Sequence, residues 1–182
     1  APSRAALAGG ADGVSAINTI LACIGINLKT LKPQPTVQGY STYGGYSYYA
    51  VKPIALRMVS EIARSLPELT ISGIGGVTCA NDAIEHMLVG AHTVQSCTGP
   101  MLQGFGMVDE LIEGTLAFME QHGFETLDEF RGASLPFFTT HHHLVELQAE
   151  KKAKQAAKLA NKDTEWGKGD VRDETAALTS NE

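Results

Sequence analysis

The sequence predicts an α/β fold built on a parallel sheet. Three observations lead there. Short apolar runs alternate with longer segments of helical periodicity, in the order strand, helix, strand, helix, strand, helix. Connections of that length carry the chain back across the sheet, so the strands they join run parallel. Two of the strand ends are rich in glycine and small polar residues, ISGIGG and QSCTG, and parallel sheets bind ligands at those ends.

The elements follow in order. Arg4 to Leu7 reads as the tail of a helix closed by Gly9-Gly10. The opening APSRAALAGGADG is therefore a helix already under way, and the chain is expected to be the carboxyl-terminal part of a longer protein, with any targeting segment outside it. Gly13 to Asn18 is a short strand with a polar end. Thr19 to Val51 is long, holds Pro33 and Pro35, and contains the aromatic–glycine patch GYSTYGGYSYY. A connection of that length is either functional or hides a small hairpin. Pro53 opens a helix whose inward face is Ile54, Ala55, Met58, Val59, Ile62 and Leu66. Leu69 to Ser72 is the second strand. A helix from about Cys79 to Val89 buries Ala80, Ala83, Ile84, Met87 and Leu88 and stops at Gly90. Its polar face carries Asp82, Glu85 and His86, so His86 is expected to be exposed. His92 to Ser96 is the third strand. Met107 to Gln121 is a helix with Val108, Leu111, Ile112, Leu116 and Met119 inward. Thr126 to Glu129 is a capping box that starts a short helix ending near Gly132. His142 to Ala160 is an alanine-rich helix, and residues 161–182 read as a polar tail. The expected division is a sheet-and-helix domain over residues 1–135 and a carboxyl-terminal helix and tail over 136–182.

Composition narrows the function. At 182 residues and 43% hydrophobic content the chain can bury a core. A net charge of −6 argues against nucleic acid and against anionic membrane surfaces as partners. No apolar run reaches the roughly 20 residues of a membrane-spanning helix. Cys23, Cys79 and Cys97 form no C-x-x-C pair, so no zinc or iron–sulfur signature is present, and their scatter suits a reducing compartment. His141, His142 and His143 are adjacent on a helix and cannot converge on one ion, so no metal site is expected.

The glycines carry the sharper signal. Gly73-x-Gly75-Gly76 does not match the dinucleotide fingerprint G-x-G-x-x-G. A (β/α)8 barrel explains the pattern better, because barrels bind phosphate with the loops after their seventh and eighth strands. Gly73–Thr78 and Ser96–Gly99 follow successive strands and are therefore neighbours. Each leads into a helix, whose free N–H groups favour an anion. Gly75 and Gly76 let the backbone approach phosphate oxygens closely, and Thr98 adds a hydroxyl. The competing reading is a tight turn and nothing more; the second loop favours phosphate.

In this order, GADGVSAINTI, GYSTYGGYSYYAVKPIALR, ISGIGGV and GAHTVQSCTG closely resemble the end of the flavin barrel of the dihydropyrimidine dehydrogenases, in the class 1 dihydroorotate dehydrogenase superfamily. The resemblance covers residues 5–120. TLDEFRGASLPFFTTHHHLVELQ and DTEWGKGD are similar to the plant and algal plastid form, which uses NADP. The resemblance implies the last three βα units of a (β/α)8 TIM barrel, followed by carboxyl-terminal helices and a tail. It implies reduction of uracil and thymine to their 5,6-dihydro forms, with NADPH as co-substrate and FMN as cofactor, in the plastid. It implies a homo-oligomeric full-length enzyme and no iron–sulfur cluster in this stretch.

Residue by residue, the family's substrate amide and hydroxyl fall on Asn18 and Thr19. An amide both donates and accepts, which suits the alternating edge of uracil. The family's phosphate-binding backbone falls on Ile74, Gly75 and Gly76, and again on Cys97 and Thr98. Cys97 is expected to be a buried thiol that lends its N–H. A further contact falls on Tyr48, where animal and many bacterial relatives carry glycine. A tyrosine there is not expected to take up a glycine conformation. The proton-donating cysteine and flavin-contacting lysine of the family belong to earlier units, so no catalytic residue is assigned. The tyrosines around Tyr40 to Tyr49 are candidates for a lid or a dimer contact. Two alternatives remain: a related flavin barrel acting on dihydroorotate, and a non-catalytic half-barrel that binds a partner.

Overall fold

Pattern and architecture meet in a three-stranded parallel sheet. The protein was analysed as a computed structural model, which describes residues 2–166. In chain order the elements are α1 (Pro2–Ala8), β1 (Gly13–Ala16), β2 (Ile20–Ala22), β3 (Gly25–Asn27), β4 (Lys32–Gln34), β5 (Gly44–Tyr46), α2 (Lys52–Ser65) and β6 (Thr70–Ile74). They continue with α3 (Ala80–Leu88), β7 (Thr93–Gln95), α4 (Thr98–Gln103), α5 (Met107–His122) and α6 (His141–Trp166). The main sheet has the order β1-β6-β7 and is parallel throughout, with Ala16 opposite Gly73 and Ile74 opposite Gln95.

Alternation of side chains decides the two faces of this sheet. Ile71 points to one side and packs with Ala16, Ala91, Val59, Ala63 and Val89 in the core beneath α2 and α3. Ser72 points to the other and joins a polar layer. Thr93 Oγ1 donates to Ser72 Oγ (2.7 Å), and Gln95 Nε2 donates to Ser72 Oγ (2.6 Å) and Ser15 Oγ (3.1 Å). The sheet is open among the described residues: β1 and β7 each have one strand neighbour.

The long connection holds paired strands, as one of its two readings anticipated. β2 pairs with β5 and, nested between them, β3 pairs with β4, both antiparallel. α2 has Pro53 in its first turn and buries Ala55, Val59 and Ala63; Ile54, expected inward, is exposed on the flank of that face. α5 differs more. It buries Met107 and packs on α3, where Gly114 lies directly against Ala80. Val108, Ile112 and Leu116, also expected inward, are exposed, because no described element covers that stripe. The capping box at Thr126 and Glu129 forms, and Gly132 takes φ 73°. Phe130 is fully buried between Phe118 and Phe124.

The chain divides into two compact units, one through Phe137 and one from Phe138 on. In the second, α6 runs to Trp166, beyond the expected Ala160, and His142 and His143 pair with Glu146. The polar ending from residue 167 lies outside the described residues. No helix among the described residues is long and apolar enough to cross a membrane, and none of their side chains form a group suited to hold a metal.

Candidate functional site

The carboxyl ends of β1, β6 and β7 open onto one groove of about 440 Å³. β1 leads to Asn18 and Thr19, β6 to Ile74, Gly75 and Gly76, β7 to Cys97 and Thr98, and the connection after β5 supplies Tyr48. All eight line the groove. Ser15, Ser47, Gln95 and Ser96 line it too and were not singled out in the sequence. None of the lining residues is charged, so an anion there would be held by neutral donors.

Gly73, inside β6, and Gly75 and Gly76, just after it, are each required for a different reason. A Cβ on Gly73 would stand 2.7 Å from the His86 ring. Gly75 has φ 128°, and a Cβ would stand 2.8 Å from that of Ala55. Gly76 has φ 78°, and a Cβ would run into the backbone of Lys52 at 2.9 Å. Gly75 and Gly76 therefore both need left-handed backbone and lie against α2 with no room for a side chain. Among the described residues nothing accepts the N–H of Gly76. Ser47 Oγ and Thr98 Oγ1, 3.5 Å apart, link the β5 connection to the loop after β7.

α3 locks this loop from below. Asp82 Oδ2 accepts from Thr78 N–H (2.8 Å), Thr78 Oγ1 (2.6 Å) and Cys79 N–H (3.2 Å), while Lys52 Nζ bridges Asp82 Oδ1 (2.6 Å) and Glu85 Oε2 (2.8 Å). Burial pushes the Asp82 carboxyl up, but hydrogen bonds from Lys52 and then Thr78 outweigh it and bring the pKa down to about 2. The Lys52 ammonium is held above its ordinary range by its hydrogen bonds to Asp82 and Glu85. The start of α3 thus carries its own carboxylate, which accepts the N–H groups of Thr78 and Cys79 just ahead of the helix. An anion at the start of α3 would therefore face this carboxylate, and the glycine loop is the more favourable seat on this side.

Three further expectations are corrected. His86 is fully buried, not exposed. Its Nε2 lies 3.1 Å from the Gly75 carbonyl, and its Nδ1 has no partner among the described residues. Burial holds its pKa below the ordinary histidine value. Helical periodicity placed it with Asp82 and Glu85, but that side of α3 faces the glycine loop rather than water. The signal available in the sequence was Gly73: a glycine inside a strand marks a close approach by a neighbouring group. Cys97 is exposed, not buried, as are Cys23 and Cys79, because Cys97 sits on the lip where α4 begins. Tyr48 does adopt a glycine-like backbone, with φ 68°. Its ring is half-buried and meets that of Tyr49 edge to face at 5.3 Å.

Asn18 and Thr19 are exposed at the mouth. Thr19 N–H (2.7 Å) and, more weakly, Thr19 Oγ1 (3.4 Å) donate to Asn18 Oδ1, which orients the carboxamide and leaves its NH2 available. Thr19 packs against Gly45, where a side chain would collide with it.

An α/β chain with a groove at the ends of its parallel strands, and a neutral glycine cradle within it, has the form of a ligand-binding α/β domain. The dihydroorotate dehydrogenase family profile matches residues 3–119. The chain is 47% identical to the chloroplastic dihydropyrimidine dehydrogenase (NADP(+)) of Arabidopsis thaliana, over 99% of this chain and 44% of that protein. It is 44% identical to the NAD-dependent dihydropyrimidine dehydrogenase subunit PreA of Escherichia coli K12, over 70% of this chain and 32% of that protein. It is 41% identical to the catalytic subunit of dihydroorotate dehydrogenase B (NAD(+)) of Pyrococcus abyssi, over 69% of this chain and 40% of that protein. The chain belongs to the dihydroorotate dehydrogenase family. It spans less than half the length of these curated relatives.

Proposed function

We propose that the protein reduces uracil and thymine to their 5,6-dihydro forms with NADPH through FMN, and that this chain supplies the sixth to eighth βα units of a (β/α)8 barrel. The observation that carries the proposal is the convergence of Asn18-Thr19, Gly75-Gly76 and Cys97-Thr98 on one groove. The 47% identity to a chloroplastic dihydropyrimidine dehydrogenase, over 99% of this chain, supports the substrate class and a plastid location.

The residues fit a flavin phosphate. The glycine cradle admits no Cβ, and the Gly76 N–H has no acceptor among the described residues. Backbone N–H groups of Ile74, Gly75 and Gly76 and of Cys97 and Thr98 would hold the phosphate, with Tyr48 N–H as a further donor. Bound FMN supplies the hydride relay from NADPH to C6 of the base. The Asn18 carboxamide donates to a pyrimidine carbonyl and accepts from the adjacent ring N–H, and the Thr19 hydroxyl adds one contact. These residues bind and orient; the proton for C5 comes from a residue outside this chain. The full-length enzyme is a homo-oligomer, and the exposed Tyr40, Tyr43, Tyr46 and Tyr49 suit a subunit contact.

Uracil-dependent NADPH oxidation by the full-length protein is the test. Dihydroorotate oxidation without any uracil activity overturns the proposal.

A further inference from the structure

His86 is buried, polar and outside the groove, and its ring touches the groove only through the glycine loop. A carbonyl oxygen can only accept, so the 3.1 Å contact with Gly75 O requires the hydrogen on His86 Nε2. Nδ1 is then a lone pair, buried and without a partner among the described residues. The ring has space only because residue 73 is glycine, whose Cβ would stand 2.7 Å from Nδ1.

The direction of this bond matters. The Gly75–Gly76 peptide is not among the cis bonds of the described residues, so its C=O and N–H point in opposite directions. A carbonyl drawn down towards α3 turns the Gly76 N–H the other way, and Gly76 lines the groove. Both glycines have φ values open to many conformations, so this peptide would otherwise flip readily.

We infer that His86 is a positioning residue for the cofactor phosphate: its Nε2–H pins the Gly75 carbonyl and thereby aims the Gly76 N–H into the groove. The inference rests on the proposed phosphate seat. Lys52, Asp82 and Glu85 surround the ring from α2 and α3 and are engaged with one another, so none of them substitutes for the imidazole.

The test compares FMN with riboflavin, which differ only in the phosphate. Both are titrated into the flavin-stripped full-length protein, and thermal midpoints are recorded alongside. The wild type is expected to prefer FMN. His86→Leu fills a similar volume without a donor and is expected to lose at least tenfold of that preference, about 1.4 kcal/mol, with riboflavin affinity unchanged. His86→Asn, too short to reach Gly75, behaves alike and stands in where the leucine variant does not fold. His86→Gln, whose amide nitrogen reaches the position of Nε2, restores the preference. A preference kept in any folded Leu or Asn variant overturns the inference and leaves the phosphate seat standing. Equal loss of FMN and riboflavin affinity also overturns it, as a purely structural role. A wild type with no preference for FMN overturns the seat and the inference together.

Discussion

Gly76 has a left-handed backbone at φ 78° and no room for a Cβ beside Lys52. Gly76→Ala therefore combines backbone strain with a backbone clash, and is expected to cost at least about 2 kcal/mol. The thermal midpoint of the full-length protein should fall, and flavin affinity with it. A midpoint equal to wild type would contradict the cradle geometry. Asn18 makes a different prediction, because it is exposed and its loss costs little stability. In the proposed site, Asn18→Asp would replace the amide donor with a carboxylate facing a pyrimidine carbonyl. Steady-state kinetics should show KM for uracil raised about tenfold or more, from one lost hydrogen bond and added repulsion, while FMN content stays at wild-type level.

The unit formed by the glycine loop and α3 is where pH acts. The folded pKa of His86 is lowered, so its neutral ring contributes stability in full above the ordinary value of 6.5. As pH falls below 6.5 the unfolded chain binds the proton first, and that contribution declines until the buried ring is protonated as well. Asp82 is likewise depressed, from 3.8 to about 2, so its contribution is complete above 3.8 and is lost as pH falls towards 2. Urea midpoints measured against pH should show two acid losses in these windows. His86→Gln should remove the upper loss and Asp82→Asn the lower one. Asp82→Asn should also cost about 2 kcal/mol at neutral pH, because Lys52 keeps Glu85 but Thr78 and Cys79 lose a charged acceptor. Both losses persisting in either variant, or both vanishing together in one of them, would contradict the separate roles of the two groups.

Across the sheet unit, β1 and β7 lack a second strand neighbour among the described residues, and the stripe Val108, Ile112 and Leu116 on α5 is exposed. Open edges and an uncovered apolar face promote association. Residues 1–182 made alone are expected to self-associate and to retain no FMN, read as flavin absorbance after gel filtration. Stoichiometric bound FMN would contradict the proposal that this chain is only part of the flavin-binding barrel.

Much of this was legible in the chain itself. The βα alternation, the glycine stop at Gly90, the capping box at Thr126 and the loop pair at Gly75 and Cys97 follow from local rules, in which propensity and backbone freedom act within a few residues. The 33-residue connection from Thr19 to Val51 was legible only as either loop or hairpin, because strands of three residues carry too little periodicity to declare themselves. The burial of His86, the exposure of Cys97, the backbone of Tyr48 and the bare stripe on α5 were decided by tertiary structure alone. For His86, Cys97 and α5 the outcome depends on what another segment places opposite the residue: the glycine loop over His86, the groove beside Cys97, and open space beside α5. Sequence periodicity tells which residues share a face, whereas burial depends on what that face meets.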